Sequence, residues 1–515
     1  MSEERRNDGA GRSGRGGLPP MADDIFLAPE SRRIDWKRIC FLLLGVALFS
    51  AVVISPPWSA AVDPAGKQVL LTAEGKAAIG LFLLTAVWWV FEVIPIGVTA
   101  ILVGVTQALF HIRTPRVVFT DFMDPSVWFI FGSIVIGLVF TKTGLTKRLA
   151  YKMLLLVGEK TSMIYLGCFL MTAFFTHIMA HTAVAATVFP LLMAVYSLYE
   201  EDETKPTRFG KGLFIGMAFV AGAGSIITLL GAARGAVAIG FYNQIVGREI
   251  DFFELTFYMA PVGWLMVFLL WGLMMVMMKP ERKTIPGLRE RARSLHAKLG
   301  PVSANEIIVV VIVFGAIAVM SLRSLFGDIE FLQKLDKSAV ILVSTVLFFV
   351  LKILDIDDLE KIPWNIILLF GGAMSLGFCL WQTGAAEWMA VKFIVTFKEA
   401  PWFVFVLAIA FFVLIMTNLI MNVAAIAISL PVALVLAGYM GVAPEVILYA
   451  SLVAAGMPFL FLVGAAPNAI AYSSGQFTSG EFFKVGIPAS LILLVVIGLF
   501  ILVVWPLMEM PILIQ

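Results

Sequence analysis

A succession of apolar blocks, most close to twenty residues long, constrains this chain more than any other feature. They fall at 38–54, 77–93, 96–111, 126–141, 162–179, 183–199, 209–229, 235–245, 257–278, 305–322, 338–353, 364–381, 401–416, 423–439, 444–462 and 484–508. About twenty helical residues cross a bilayer core of ~30 Å. Of the 515 residues, 60% are hydrophobic and 14% charged, where soluble domains carry about 25% charged residues. That balance excludes a soluble enzyme and a nucleic-acid-binding domain. It also excludes an outer-membrane barrel, whose strands run ~10 residues with alternating polarity. The expected fold is an all-α polytopic membrane protein.

The net charge of +2 names no partner. Cys40, Cys168 and Cys379 all lie in apolar runs, so they read as small buried hydrophobes and not as a disulfide framework. Residues 1–34 are polar and rich in Gly, Arg and Asp, with no cleavable signal pattern. They are expected to form a disordered cytoplasmic tail.

Two pairs of blocks, 162–199 and 401–439, have only a few residues between their limbs. Such pairs read as re-entrant hairpins. Irregular backbone persists at membrane depth only where protein or a wet cavity covers it. Counted this way, the chain makes eleven crossings. Lys and Arg concentrate at 142–160 and 279–298, which places those segments in the cytoplasm. The N-terminus then lies inside and the C-terminus outside.

The halves match each other. FFTHIMAHTAVAATVFP (174–190) parallels IMTNLIMNVAAIAISLP (415–431), and GAARGAVA (231–238) parallels GAAPNAIA (464–471). KTGLTKRLA (142–150) likewise parallels QTGAAEWMA (382–390). Ordered matches at similar offsets indicate duplication. Five crossings separate the hairpins, so the copies are expected to be inverted. Secondary transporters use this architecture, with their sites near the midplane. The expected organisation is a first helix and first repeat over 35–278, a basic cytoplasmic linker at 279–304, and a second repeat over 305–515.

Over roughly 75–515 the chain resembles the divalent anion/sodium symporter family, carriers of di- and tricarboxylates or sulfate. The resemblance rests on WWVFEVIPIGVTA (88–100), DPSVWFIFGSIVIGLVFTKTGLTKRLA (124–150), IPWNIILLFGGAMSLGF (362–378) and GAAPNAIAYSSG (464–475). It implies eleven spans plus two hairpins, a homodimer in a bacterial-type inner membrane, and elevator-like movement of a transport domain. It also implies a small anionic substrate and sodium as coupling ion, with membrane lipid as the only other partner, no nucleic acid and no further cofactor.

The family's Ser-Asn-Thr triplet at each hairpin tip is altered here. The first tip reads Ala180-His181-Thr182 and the second Met421-Asn422-Val423. The family's Gly-Thr-Pro-Pro-Asn loop reads Gly231-Ala232-Ala233-Arg234-Gly235. Hard cations take oxygen ligands. The resemblance therefore implies a sodium site around Thr417, Asn422 and Gly464. Its first-half counterpart keeps Thr176 and Gly231 but gains an imidazole at His181, a group better suited to protons or transition metals than to sodium. An arginine at membrane depth costs roughly 2.5–3.5 kcal/mol on insertion scales, so Arg234 is expected to face a partner. Its fixed charge is a candidate to replace a sodium ion or to pair with an anion. His181, Thr182, Arg234, Asn422 and Asn468 are the candidate substrate contacts, with Arg234 expected beside Thr182 and His181. At most one sodium is expected. A sodium-independent exchanger, a uniporter, a proton-coupled carrier, and a channel or receptor that keeps the fold all remain open at this stage.

An enzyme is not expected. His177 and His181 have the i, i+4 spacing of a zinc helix, but residue 178 is Ile, not the Glu that a metalloprotease needs. No metal site is expected, and no phosphate-binding Gly-Lys-Ser/Thr loop is present.

Overall fold

The structure, a computed structural model, describes residues 35–62, 66–202, 205–326, 329–397 and 400–514. The tail expected over 1–34 lies outside the described residues. Among these residues the sheet content is one two-stranded ribbon, Ala61–Val62 against Gln68–Val69. Helices form nearly all the rest. Ten of them are long and apolar enough to cross a membrane. Many present a lipid-compatible surface: Leu43, Phe257, Phe268, Val311, Val346 and Val495 are all exposed.

From residue 73 the order of elements recurs. Ala73–Val90, Ile96–Leu109, the short Pro115–Asp121, Pro125–Lys142 and Leu145–Val157 are followed by the hairpin limbs Thr161–Phe175 and His181–Tyr199. Ala304–Leu325, Lys337–Val350, Ile356–Glu360, Trp364–Gln382 and Ala385–Phe397 lead in the same way to Trp402–Leu419 and Asn422–Tyr439. Local geometry recurs as well. His111 after Ile96–Leu109 and Lys352 after Lys337–Val350 are both left-handed, with φ of 51° and 55°. In each turn the next N–H reaches five residues back, Ile112 to the Gln107 carbonyl at 3.0 Å and Ile353 to that of Phe348 at 2.9 Å. This bond closes a helix end whose last carbonyls would otherwise be unpaired.

The packing is reciprocal. Ile96–Leu109 lies on Trp364–Gln382, and Lys337–Val350 lies on Pro125–Lys142. Small residues permit the approach, since helices in lipid associate through close backbone packing. Ala100 sits against Gly372, and the Gly97 N–H donates to Asn365 Oδ1 at 2.8 Å.

Hydrogen bonds at the helix ends sort the elements into two faces. At one face Tyr165 Oη donates to the Phe209 and Met278 carbonyls, and Tyr199 Oη donates to Glu281. Both ends of the first hairpin therefore stand beside the basic linker. Lys211 pairs with Glu481 there, so the last long helix starts at this face. At the opposite face the Ala443 N–H donates to the Ile512 carbonyl and the Ile514 N–H to that of Gly441, both at 2.9 Å. The second hairpin thus leaves its limb beside the C-terminal stretch. Helix Phe252–Met277 connects the two faces; its 26 residues span about 39 Å at 1.5 Å each.

The linker does more than connect. It contains the helix Leu288–Lys298, packed on Leu145–Val157. Arg148 is 6% exposed. It donates to Glu306 at 2.8 Å and to the carbonyls of Gly300 and Pro301 at 2.9 and 3.0 Å. Removing one partner of a buried pair strands the other charge, at a cost of about 3–5 kcal/mol. Arg148→Ala should lose that much stability in detergent unfolding, and the double change Arg148→Met/Glu306→Leu should recover most of it. Lys334→Ala, which breaks an exposed pair, should change stability by less than about 1 kcal/mol.

Candidate functional site

Four helices stop inside the protein and chain restarts from each stop. The first hairpin turns at 176–180, between Thr161–Phe175 and His181–Tyr199. The second turns at 420–421, between Trp402–Leu419 and Asn422–Tyr439. Helix Arg208–Gly224 breaks over 225–232 and resumes as Ala233–Val246. Helix Pro444–Gly456 breaks over 457–465, which includes a short turn at Leu462–Gly464, and resumes as Ala466–Tyr472. Ala180 and Met421 cap the second limbs in the same extended geometry, with ψ of 134° and 141°. Pro190 and Pro431 stand inside those limbs.

Each tip is laced to the break of its own half. In the first half Thr228 Oγ1 donates to the His177 carbonyl at 2.8 Å, and the His181 N–H donates to the Gly231 carbonyl at 2.9 Å. In the second half Thr417 Oγ1 donates to the Ala455 carbonyl at 3.0 Å. The Leu460 N–H donates to Asn418 Oδ1 at 2.7 Å. Glycine makes the approach possible on both sides. A methyl group at Gly231 would collide with the Thr176 carbonyl oxygen, and one at Gly464 would stand 2.8 Å from that of Thr417.

Thr176, Gly231 and His181 therefore come together, as do Thr417 and Gly464. Asn468 is 2% exposed, and its amide donates to the carbonyls of Pro458 and Phe461 at 2.9 and 3.2 Å, clasping the second break. Asn422 is 5% exposed. Thr182 is half-buried, one residue into its limb. Arg234 is 1% exposed and turns toward the other half: Nη2 donates to Ser225 Oγ at 2.6 Å, and a methyl group at Gly456 would stand 3.0 Å from it. Its hydrogen bond goes to Ser225, a residue the sequence did not single out. Arg234 Nη1, His181 Nδ1 and Asn422 Nδ2 are buried without a hydrogen-bond partner among the described residues.

Sequence reasoning missed Ser225, Thr228 and Asn418. All three are polar residues in apolar runs beside a Gly-rich stretch or a hairpin tip. That placement was the available signal, because a polar group at membrane depth needs a partner.

Four helix ends inside a many-span membrane protein, with buried side-chain nitrogens nearby left without partners among the described residues, are the arrangement of a membrane transporter. A family model for the transmembrane region of sodium:sulfate symporters matches residues 46–510. The chain belongs to that family. Among curated proteins, the sodium-dependent dicarboxylate transporter SdcS of Staphylococcus saprophyticus is 24% identical over 446 residues, 83% of this chain and 86% of its own. SdcS of Staphylococcus aureus is 25% identical over 450 residues, 84% and 86% of the two chains. Among solved structures, MtrF of Neisseria gonorrhoeae, assigned to a class of antimetabolite efflux pumps, aligns with a TM-score of 0.57 at 12% identity. It covers 90% of this chain and 93% of its own. The YdaH transporter of Alcanivorax borkumensis aligns at 0.54 and 13%, covering 92% and 98%. At these identities the two structures show the fold alone.

The close approach at Gly464 is directly testable. Gly464→Ala should displace the Thr417 carbonyl and lower unfolding stability by about 1–3 kcal/mol, the range for overpacking. Gly438→Ala, with nothing within 4 Å of the added methyl, should be neutral or slightly stabilising in the same assay.

Proposed function

We propose that this protein is a sodium-coupled secondary carrier of small dianions of the dicarboxylate or sulfate class, working by alternating access. The observation that carries the reading is a pair of buried side-chain nitrogens without partners among the described residues, His181 Nδ1 and Asn422 Nδ2, each at the start of a hairpin's second limb. Donors left without acceptors in a buried site suit an anionic ligand. The second limbs contribute to this, because each begins with unpaired N–H groups and the positive end of a helix dipole. The SdcS relatives, named as sodium-dependent dicarboxylate transporters, support the same substrate class.

In this reading His181, Thr182, Asn422 and Asn468 form the substrate side, and Arg234, a candidate contact from the sequence, is set apart from it against Ser225 and Gly456. Thr417, Asn422 and Gly464 hold one sodium ion, with carbonyls at the end of Trp402–Leu419 completing an oxygen shell. Thr176 and Gly231 occupy the matching place in the first half. The chain makes eleven crossings plus two hairpins as inverted repeats. It has a cytoplasmic N-terminus and an extracytoplasmic C-terminus in a bacterial inner membrane. The opposite faces on which the hairpins open support the inversion, and the basic linker supports the orientation. Elevator movement and a homodimer rest on the resemblance alone.

The test is uptake of labelled dicarboxylates and sulfate into proteoliposomes with imposed sodium and pH gradients. Sodium should stimulate uptake hyperbolically. Thr417→Val or Asn422→Ala should raise the sodium requirement about tenfold, the equivalent of one lost ligand bond of ~1–1.5 kcal/mol. Uptake of no anion in the panel would refute the carrier reading, and sodium-independent uptake would replace coupling with exchange or uniport.

A further inference from the structure

Arg234 occupies an electrostatic position that the anion site does not require. It lies in the first turn of helix Ala233–Val246, the positive end of a dipole, where a cation is disfavoured. Its side chain leaves that end. The guanidinium reaches Ser225, the C-cap of helix Arg208–Gly224, and lies beside Gly456, the last residue of helix Pro444–Gly456.

These two helix C-termini, one from each half, meet directly. A methyl group at Gly222 would stand 2.8 Å from the Gly456 carbonyl oxygen. Each C-terminus carries about half a negative charge, so their meeting concentrates about one. Among the described residues no carboxylate pairs with Arg234, whose hydrogen bond goes to Ser225. The cavity that Arg234 lines with Ser225, Thr228 and Leu452 has a volume of about 10 Å³, room for a single water and not for a dicarboxylate. At the matching position in the second half stands Pro467, which brings no charge.

Resting on the carrier reading above, we infer that the Arg234 guanidinium is a resident cation. It neutralises the paired C-termini of Arg208–Gly224 and Pro444–Gly456 in place of an exchangeable monovalent ion. The first half then needs no sodium, and coupling runs through the second half alone. A like charge a few ångströms away opposes a sodium ion there.

The experiment compares wild-type, Arg234→Ala and Arg234→Lys full-length protein in two assays, sodium-driven uptake and thermal unfolding in detergent. Wild type and Arg234→Lys should show a sodium Hill slope of about one. In Arg234→Ala the slope should rise toward two, and uptake at limiting sodium should fall about tenfold. Millimolar guanidinium chloride, and not choline chloride, should restore that uptake. The Arg234→Ala melting temperature should fall, then rise with added sodium or millimolar guanidinium, as mass action requires of a ligand bound only by the folded state. Wild type should show no guanidinium response.

An unchanged slope in Arg234→Ala together with no cation-dependent melting shift overturns the inference. So does a wild-type slope near two, which decides the matter even if Arg234→Ala does not fold. Wild-type protein that carries no anion overturns the carrier reading instead; the unfolding assay needs no substrate and still decides the role of Arg234.

Discussion

Helix ends that stop inside a membrane protein leave backbone groups that hydrocarbon cannot satisfy, and the interior of this protein is arranged around that constraint. Each end leaves up to four unpaired N–H or carbonyl groups, and each orphan in lipid costs several kcal/mol. Every break is covered by the hairpin tip of its own half. Thr228 and the His181 N–H close the first junction, while Thr417, Asn418 and Asn468 close the second. The scaffold contributes too: Ser133 donates to the Leu230 carbonyl at 2.9 Å. What is left over is a small set of buried side-chain nitrogens without partners among the described residues, and on these the proposed site chemistry rests.

The two halves solve the same geometric problem with different charges. Both bring a glycine against a threonine carbonyl, Gly231 to Thr176 and Gly464 to Thr417. Only the first half then supplies a full positive charge of its own, at Arg234. The second half has Pro467 there and collects neutral oxygens and amides. The two halves therefore surround matching glycine–threonine approaches with different side-chain charges.

Around this centre the frame is held by close helix packing and by ion pairs at the two faces. Arg148 with Glu306 fastens the linker to Leu145–Val157 and Ala304–Leu325 at one face. Arg113 with Asp121 at 2.8 Å joins the elements on either side of their turn at the other, and also donates to the Ser375 carbonyl. The linker sequence, read for charge alone, looked like a tether. The structure adds a helix and a buried arginine clasp, because Arg148 finds acceptors more than 150 residues away in the chain.

Hydropathy and internal repetition determined the membrane class, the two hairpins and the matched positions Thr176/Thr417 and Gly231/Gly464. These signals are local or periodic, and the hydrophobic effect writes them directly into residue order. Hydropathy was blind to where helices stop. The apolar run 444–462 ends its helix at Gly456, because chain direction depends on glycine, proline and the neighbouring tip, not on polarity. Sequence marked Arg234 as a costly charge that must face a partner or a wet cavity, but did not say which residues would receive its hydrogen bonds. Only the tertiary structure brought Ser225 and Gly456 to the guanidinium. The contact with Gly456 joins segments more than 200 residues apart, and no local pattern encodes which two helix ends will meet.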